Sequence, residues 1–159
     1  YTIAFLKKNP KMKGIIFDLK PVLPMAEKRI RESGLQDRVE LVGGDFYEDE
    51  LPEGCDLAFL SAIIHQNSPE QNLALYNKIY RAIVPGGTLV IRDHIMDESR
   101  IFPPAGAVFA INMLVATEGG DTYTFKEIKS ALETVGFIDI QQIRQGEHMD
   151  GIVTAKKSS

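Results

Sequence analysis

The run from Cys55 to His65, reading C-D-L-A-F-L-S-A-I-I-H, constrains the fold more than any other stretch of the chain. Leu57 to Ile64 is apolar apart from Ser61, with no polar alternation. A run this short and this apolar predicts a strand over Cys55 to Ile64 that is covered on both faces, as in a parallel sheet with helices above and below. It ends in His65 and the polar loop Gln66-Asn67-Ser68-Pro69. In open α/β sheets ligands sit beyond the carboxyl ends of the strands, so His65 stands where chemistry is expected. A core histidine that merely closes the strand is the competing reading.

The surrounding pattern supports an α/β sheet. Tyr1 to Asn9 reads as a helix stopped by Pro10, and Lys13 to Asp18 as a short apolar strand ending in a carboxylate. Pro21 to Gly34 carries Val22, Leu23, Ala26 and Ile30 at helical spacing, with Gly34 as the stop. Val39 to Val42 is a strand running into Gly43-Gly44-Asp45-Phe46. Pro69 to Val84 places Leu73, Tyr76, Ile79, Tyr80 and Ile83 on one helical stripe, which Pro85-Gly86-Gly87 breaks. Thr88 to Ile91 is a further buried strand ending at Arg92-Asp93, and 96–104 reads as a loop before the apolar 105–116. Thr124-Phe-Lys-Glu127 is a capping-box pattern opening a helix to Val135, with Gly136 as its stop. Phe137 to Arg144 and Gly151 to Lys156 close the chain as an antiparallel edge pair on a mostly parallel, doubly wound sheet.

Composition narrows the function. A chain of 159 residues forms one domain with a single core. The net charge of -4 argues against a nucleic-acid partner, since phosphate binding needs a basic face. Cys55 is the only cysteine, so no internal disulfide and no thiolate metal site can form, and a reducing cytoplasm fits. The apolar stretch 105–116 is too short to cross a bilayer, so no membrane partner is expected.

Three strand ends carry an acid: Asp18, Asp45 and Asp93. A carboxylate closing the second strand of a mononucleotide unit can accept from both ribose hydroxyls, and Asp45 with Phe46 could bond and stack on an adenine ring. Turn residue or helix cap is the alternative for each. No G-x-G-x-x-G follows a strand, which weighs against a nicotinamide-dependent dehydrogenase, and no G-x-S-x-G supports a hydrolase. His65 and Asp93 end strands that would be neighbours, and a carboxylate-oriented histidine is a general base for a hydroxyl. A metal held by His65, Asp93 and His94 is the rival reading. His94 follows Asp93 directly and would point to the opposite strand face, so no metal is expected. His148, between Glu147 and Asp150, reads as a solvated surface residue.

Five segments occur in order: I-I-F-D-L (15–19), G-G-D-F (43–46), I-I-H (63–65), I-V-P-G-G-T-L-V-I (83–91) and E-G-G-D-T-Y-T (118–124). Together they resemble the catalytic domain of the S-adenosylmethionine-dependent small-molecule O-methyltransferases, the caffeate, flavonoid and hydroxyindole type. The resemblance covers essentially all of 1–159 and implies a Rossmann-like class I methyltransferase sheet. It implies S-adenosylmethionine as cofactor and a small hydroxylated, aromatic acceptor. Asp18 then matches the ribose acid, Asp45 and Phe46 the adenine pair, His65 the base and Asp93 the carboxylate flanking it. Ser61 stands near the cofactor where plant members have lysine, and Phe109 and Met113 fall where the family clamps its acceptor. Gln66 replaces an acid after the histidine, and Thr122, beside Asp121, replaces a second flanking glutamate. The family's first strand, glycine-rich loop and dimerisation domain would lie upstream of Tyr1, so the chain is expected to be cut from something longer. A sheet without that strand is expected either to close directly between its neighbours or to self-associate into a homo-oligomer, because unpaired buried backbone groups cost about 1–3 kcal/mol each. A non-catalytic binding or assembly module is the remaining alternative.

Overall fold

Helix and strand alternate along the chain as the hydrophobic spacing predicts. The computed structural model describes every residue, Tyr1–Ser159, and divides into two units, Tyr1–Pro52 and Glu53–Ser159.

The first unit contains α1 (Thr2–Lys8), β1 (Gly14–Asp18), α2 (Leu23–Glu32), a 3-10 turn at Gln36–Arg38 and β2 (Val39–Gly43). β1 and β2 pair in parallel from Gly14 opposite Val39 to Asp18 opposite Gly43. Leu6, Ile30 and Leu35 form a small core, with Ile3, Met12, Ile16 and Val39 packed against it. Gly34 ends α2 with φ +69, a left-handed conformation that a glycine adopts without strain. Arg38 ties the turn between α1 and β1, its guanidinium donating to the carbonyls of Leu6 (3.1 Å), Asn9 (2.6 Å) and Met12 (2.6 Å).

The second unit contains β3 (Cys55–Ser61), α3 (Pro69–Ala82), β4 (Ile83–Asp93), β5 (Ile95–Met96) and α4 (Pro104–Ala116). It continues with β6 (Tyr123–Thr124), α5 (Phe125–Val135), β7 (Phe137–Arg144) and β8 (Gly151–Lys157). A four-stranded sheet runs β3-β4-β8-β7, with β3 parallel to β4 and β8 antiparallel to both β4 and β7. Leu89, Ile91 and Val153 in its central strands are fully buried, as are Leu132 of α5 and Tyr76 of α3 to within 1%. Both α3 and α5 open with complete capping boxes, Ser68 with Gln71 and Thr124 with Glu127.

Four expectations need correction. The strand expected over Cys55 to Ile64 stops at Ser61, because Ala62 takes a left-handed backbone (φ 58) and donates its N–H to the Arg92 carbonyl at 2.9 Å. Ile64–Gln66 then forms a 3-10 turn, and His65 sits on that turn instead of at the strand's end. Nor is the strand covered on both faces: Leu57 to Ser61 are only half-buried, since β3 is an edge strand paired with β4 alone. The stretch 96–104 does not begin as loop, because Ile95–Met96 pairs in parallel with Tyr123–Thr124. The Pro85-Gly86-Gly87 break lies inside β4, and α3 has already ended at Ala82.

Within the first unit, β1 pairs with β2 alone. The apolar 105–116 forms α4, which buries only Gly106 while Val108, Ile111, Leu114 and Val115 stay exposed. No helix is long and apolar enough to cross a membrane.

Burial sets the expected cost of truncation. Ile91, fully enclosed in β4, should lose about 2–5 kcal/mol on mutation to Ala. Ile138 of β7, 49% exposed, should lose about 0.5 kcal/mol or less. Urea unfolding of both variants checks the contrast, and equal losses would contradict the assigned core.

Candidate active site

The half-turn made by Ala62 carries His65 out of β3 and onto the end of β4, where Ser61 and Arg92 are register partners. There His65 Nδ1 lies 2.9 Å and 3.0 Å from the two carboxylate oxygens of Asp93. Asp93 is fully buried, and its Oδ1 also accepts the backbone N–H of His94 at 2.8 Å. Burying a carboxylate demands donors, and these two supply them. A carboxylate only accepts, so Nδ1 of His65 carries a proton, which in the neutral imidazole leaves the lone pair on Nε2. That is the tautomer a general base requires.

Aromatic packing frames the histidine. Phe109 of α4 meets the His65 ring edge-on at 5.0 Å, with its own ring tilted 36° to His94 at 4.9 Å. Met113, one turn further along α4, is also half-buried. The helix can lie this close because Gly106 has no Cβ; one there would collide with Met96 Sδ and come within 3.5 Å of His94 Nδ1. The 118–124 segment packs on the other side of the turn. A Cβ on Gly120 would strike the His65 carbonyl oxygen and lie 2.6 Å from Thr117 Oγ1.

Other predicted residues fall as follows. Ser61 Oγ accepts from Arg92 Nη1 at 3.4 Å. Asp121 does not turn to His65; Arg100 holds it at 3.0 Å and pairs its other terminal nitrogen with Glu127. Thr122 is buried and Gln66 half-buried. His148 is exposed, with its backbone N–H on Asp150. His94 gives Asp93 its backbone and not its ring, and no group of three His, Cys, Asp or Glu residues is arranged to hold a metal.

In the first unit, Asp18 and Gly43 are register partners, and the Gly44 N–H bonds the Asp18 carbonyl at 3.0 Å, so the ends of β1 and β2 lie side by side. Asp18 Oδ1 accepts the Leu19 N–H at 2.8 Å, and Asp45 Oδ1 accepts the Tyr47 N–H at 2.9 Å. Each carboxylate thus also acts as a turn residue. With about four acceptor positions apiece, both keep capacity for hydroxyl or amine donors of a nucleoside. Phe46 packs on Tyr47, ring centroids 4.5 Å apart.

Sequence reasoning missed the polar residues under the His65 turn. Asn67 and Asn72 are buried and bonded to each other, and Tyr123 donates to the Asn67 carbonyl. The signal was present in part: Asn72 lies one turn before Tyr76, on the buried stripe of α3.

A match to known proteins accompanies this geometry. The profile of a family described as the O-methyltransferase domain matches residues 2–138. The chain is 30% identical over 157 residues to 3-hydroxy-5-methyl-1-naphthoate 3-O-methyltransferase of Streptomyces sahachiroi, covering 98% of this chain and 45% of that protein. It is 31% identical over 137 residues to L-tyrosine C(3)-methyltransferase of Streptomyces lavendulae, covering 86% and 37%. Human N-acetylserotonin methyltransferase, solved in complex with S-adenosylmethionine, superposes with a TM-score of 0.85 at 27% identity, covering 97% of this chain and 43% of that one. The chain therefore spans less than half the length of the relatives it matches.

Burial of His94 has a measurable consequence. Desolvation holds its pKa below the ordinary histidine value, against an opposing pull from Asp93. The unfolded chain binds a proton at His94 near the usual value of about 6.5 while the folded chain resists it, so stability is lost as pH falls below about 6.5. In His94→Leu the fall in urea midpoint between about pH 7.5 and about pH 5.5 should shrink. An unchanged fall would show that His94 does not contribute.

Proposed function

The chain belongs to the O-methyltransferase domain family, and from that premise we propose that 1–159 is catalytic-domain sequence of an S-adenosylmethionine-dependent O-methyltransferase. Its acceptor is a small hydroxylated aromatic molecule, and the protein works in the cytoplasm as a homo-oligomer. The observation that carries this reading is the buried pair of His65 and Asp93, 2.9 Å apart beside the Phe109 ring. Apolar surroundings of that kind suit an aromatic acceptor.

When bound, the cofactor supplies an electrophilic methyl on a sulfonium. Asp18 would accept from the ribose hydroxyls, and Asp45 and Phe46 would hold the adenine, as acceptor and stacking groups respectively. The donor chemistry fits: hydroxyls and an amine meet carboxylates. In the second unit, Ser61 at the end of β3 is a further cofactor-binding candidate. Phe109 and Met113 of the same unit grip the acceptor ring. Nε2 of His65 takes the acceptor hydroxyl's proton as the oxygen becomes nucleophilic, and Asp93 stabilises the imidazolium that results. Nothing in this arrangement calls on a metal; positioning and a base suffice for in-line transfer.

Two variants test the assignment. Labelled methyl transfer to a panel of hydroxynaphthoates and hydroxyindoles should fall about 10²- to 10⁴-fold in His65→Ala, the usual worth of general base catalysis. Cofactor affinity, read by titration calorimetry, should stay as it was. Asp18→Ala should do the reverse at the binding step, weakening the cofactor by about 1.5–3 kcal/mol, the value of hydrogen bonds to a charged group. Transfer to ring carbon in place of oxygen, seen by NMR of the product, would redirect the reading toward C-methylation. Full turnover in His65→Ala would remove the histidine from its role, and a protein that binds no cofactor would leave a non-catalytic binding module.

A further inference from the structure

The turn that carries His65 is fastened from below by side chains with no assigned role. Asn72, on α3, donates from Nδ2 to the carbonyl of Ile64 at 2.9 Å, and Ile64 immediately precedes the histidine. The same residue accepts from Asn67 Nδ2 at 3.0 Å through its Oδ1. Tyr123 of β6 donates its hydroxyl to the Asn67 carbonyl at 2.5 Å. A single chain of hydrogen bonds therefore runs from β6 through Asn67 and α3 to the residue before His65. All its members are buried: Asn67 is 0% exposed, Asn72 4% and Tyr123 6%.

Two backbone hydrogen bonds hold this turn, and the Gln66 N–H reaches the Ile63 carbonyl at 3.1 Å. The Asn67 N–H reaches the Ile64 carbonyl only at 3.3 Å, longer than the Asn72 contact to the same oxygen. Ala62, just upstream, sits in a left-handed conformation that a residue with a Cβ adopts at a cost of about 1–3 kcal/mol, so the turn needs external bonds to keep its shape. Buried amides with their hydrogen bonds satisfied specify one geometry, because any other leaves an unpaired polar group away from water. The hydroxyl of Tyr123 is suited to a fixed donor role, since burial pushes its pKa up to about 12 and keeps it protonated.

Resting on the reading of His65 as the base, we infer that Asn72 is a positioning residue: it fixes the Ile64–Gln66 turn so that His65 Nδ1 meets both oxygens of Asp93. Asn72 touches no reacting atom. Without it the Ile64 carbonyl loses its nearest donor, the Asn67 side chain loses the Asn72 acceptor, and the imidazole is free to leave the carboxylate.

The test uses the chain with ¹⁵N-labelled histidine and needs no acceptor. A ring N–H locked on a carboxylate gives a slowly exchanging, downfield proton resonance, which His65→Ala assigns by removing it. Asn72→Leu, of similar size, should broaden or abolish that resonance while urea unfolding stays cooperative. Tyr123→Phe, which deletes one hydroxyl and keeps the ring, should weaken it in the same direction with little change in fold. In the methyl-transfer assay, kcat of Asn72→Leu should fall about 10- to 100-fold, as for a small displacement of a reacting group, with KM for the cofactor unchanged. A sharp, unshifted His65 ring proton in a folded Asn72→Leu or Tyr123→Phe chain overturns the inference. Should Asn72→Leu fail to fold, Tyr123→Phe decides alone. Full turnover in His65→Ala would defeat the base assignment instead, and the ring-proton signal would still report whether Asn72 holds the imidazole.

Discussion

A carboxylate as deeply buried as Asp93 must be fed by hydrogen-bond donors, and much of the second unit is arranged to deliver them. One donor is local, the N–H of the next residue, and comes at no cost in topology. The other, His65 Nδ1, has to be brought from a neighbouring strand 28 positions away in sequence. That requirement explains the parallel pairing of β3 with β4, the abrupt left-handed exit at Ala62, and a turn that stops short of solvent. It also explains why the segment after α4 must contain a glycine at position 120, where the chain runs against the back of His65.

The sheet distributes its strength unevenly around this pair. The central strands β4 and β8 bury Leu89, Ile91 and Val153 completely, so Asp93 projects from the most deeply enclosed part of the unit. His65 projects from its edge, where Leu57 to Ser61 are only half-buried. Side-chain hydrogen bonds beneath the turn add fastenings there that burial of the edge strand does not supply.

Much of this was legible in the sequence, because burial and capping leave local marks. The apolar run before His65, the Thr124 to Glu127 capping box and Gly136 all predicted their elements, and the acids at strand ends marked where Asp18, Asp45 and Asp93 would lie. That His65 and Asp93 would lie near each other also followed from β3 and β4 being neighbours, although the turn that brings them into contact did not. What escaped was set by conformation or by tertiary contact. Ala62 carries no glycine to announce a left-handed residue, so the strand was drawn too long. The two-residue ladder of β5 with β6 is too short to show a period. Asn67 and Asn72 look like ordinary turn and helix polars until the fold encloses them. The exposure of α4 was equally hidden, because an apolar stretch by itself does not say how much of it is covered.

The helix α4 is tied to the site by a narrow seam, Gly106 and Phe109, while the fastenings of His65 come from α3 and β6. On the proposed reading, the residues that would hold the base and the surface that would meet the acceptor are thus written in different stretches of chain. Drift in 107–116 can reshape the pocket wall without loosening the base.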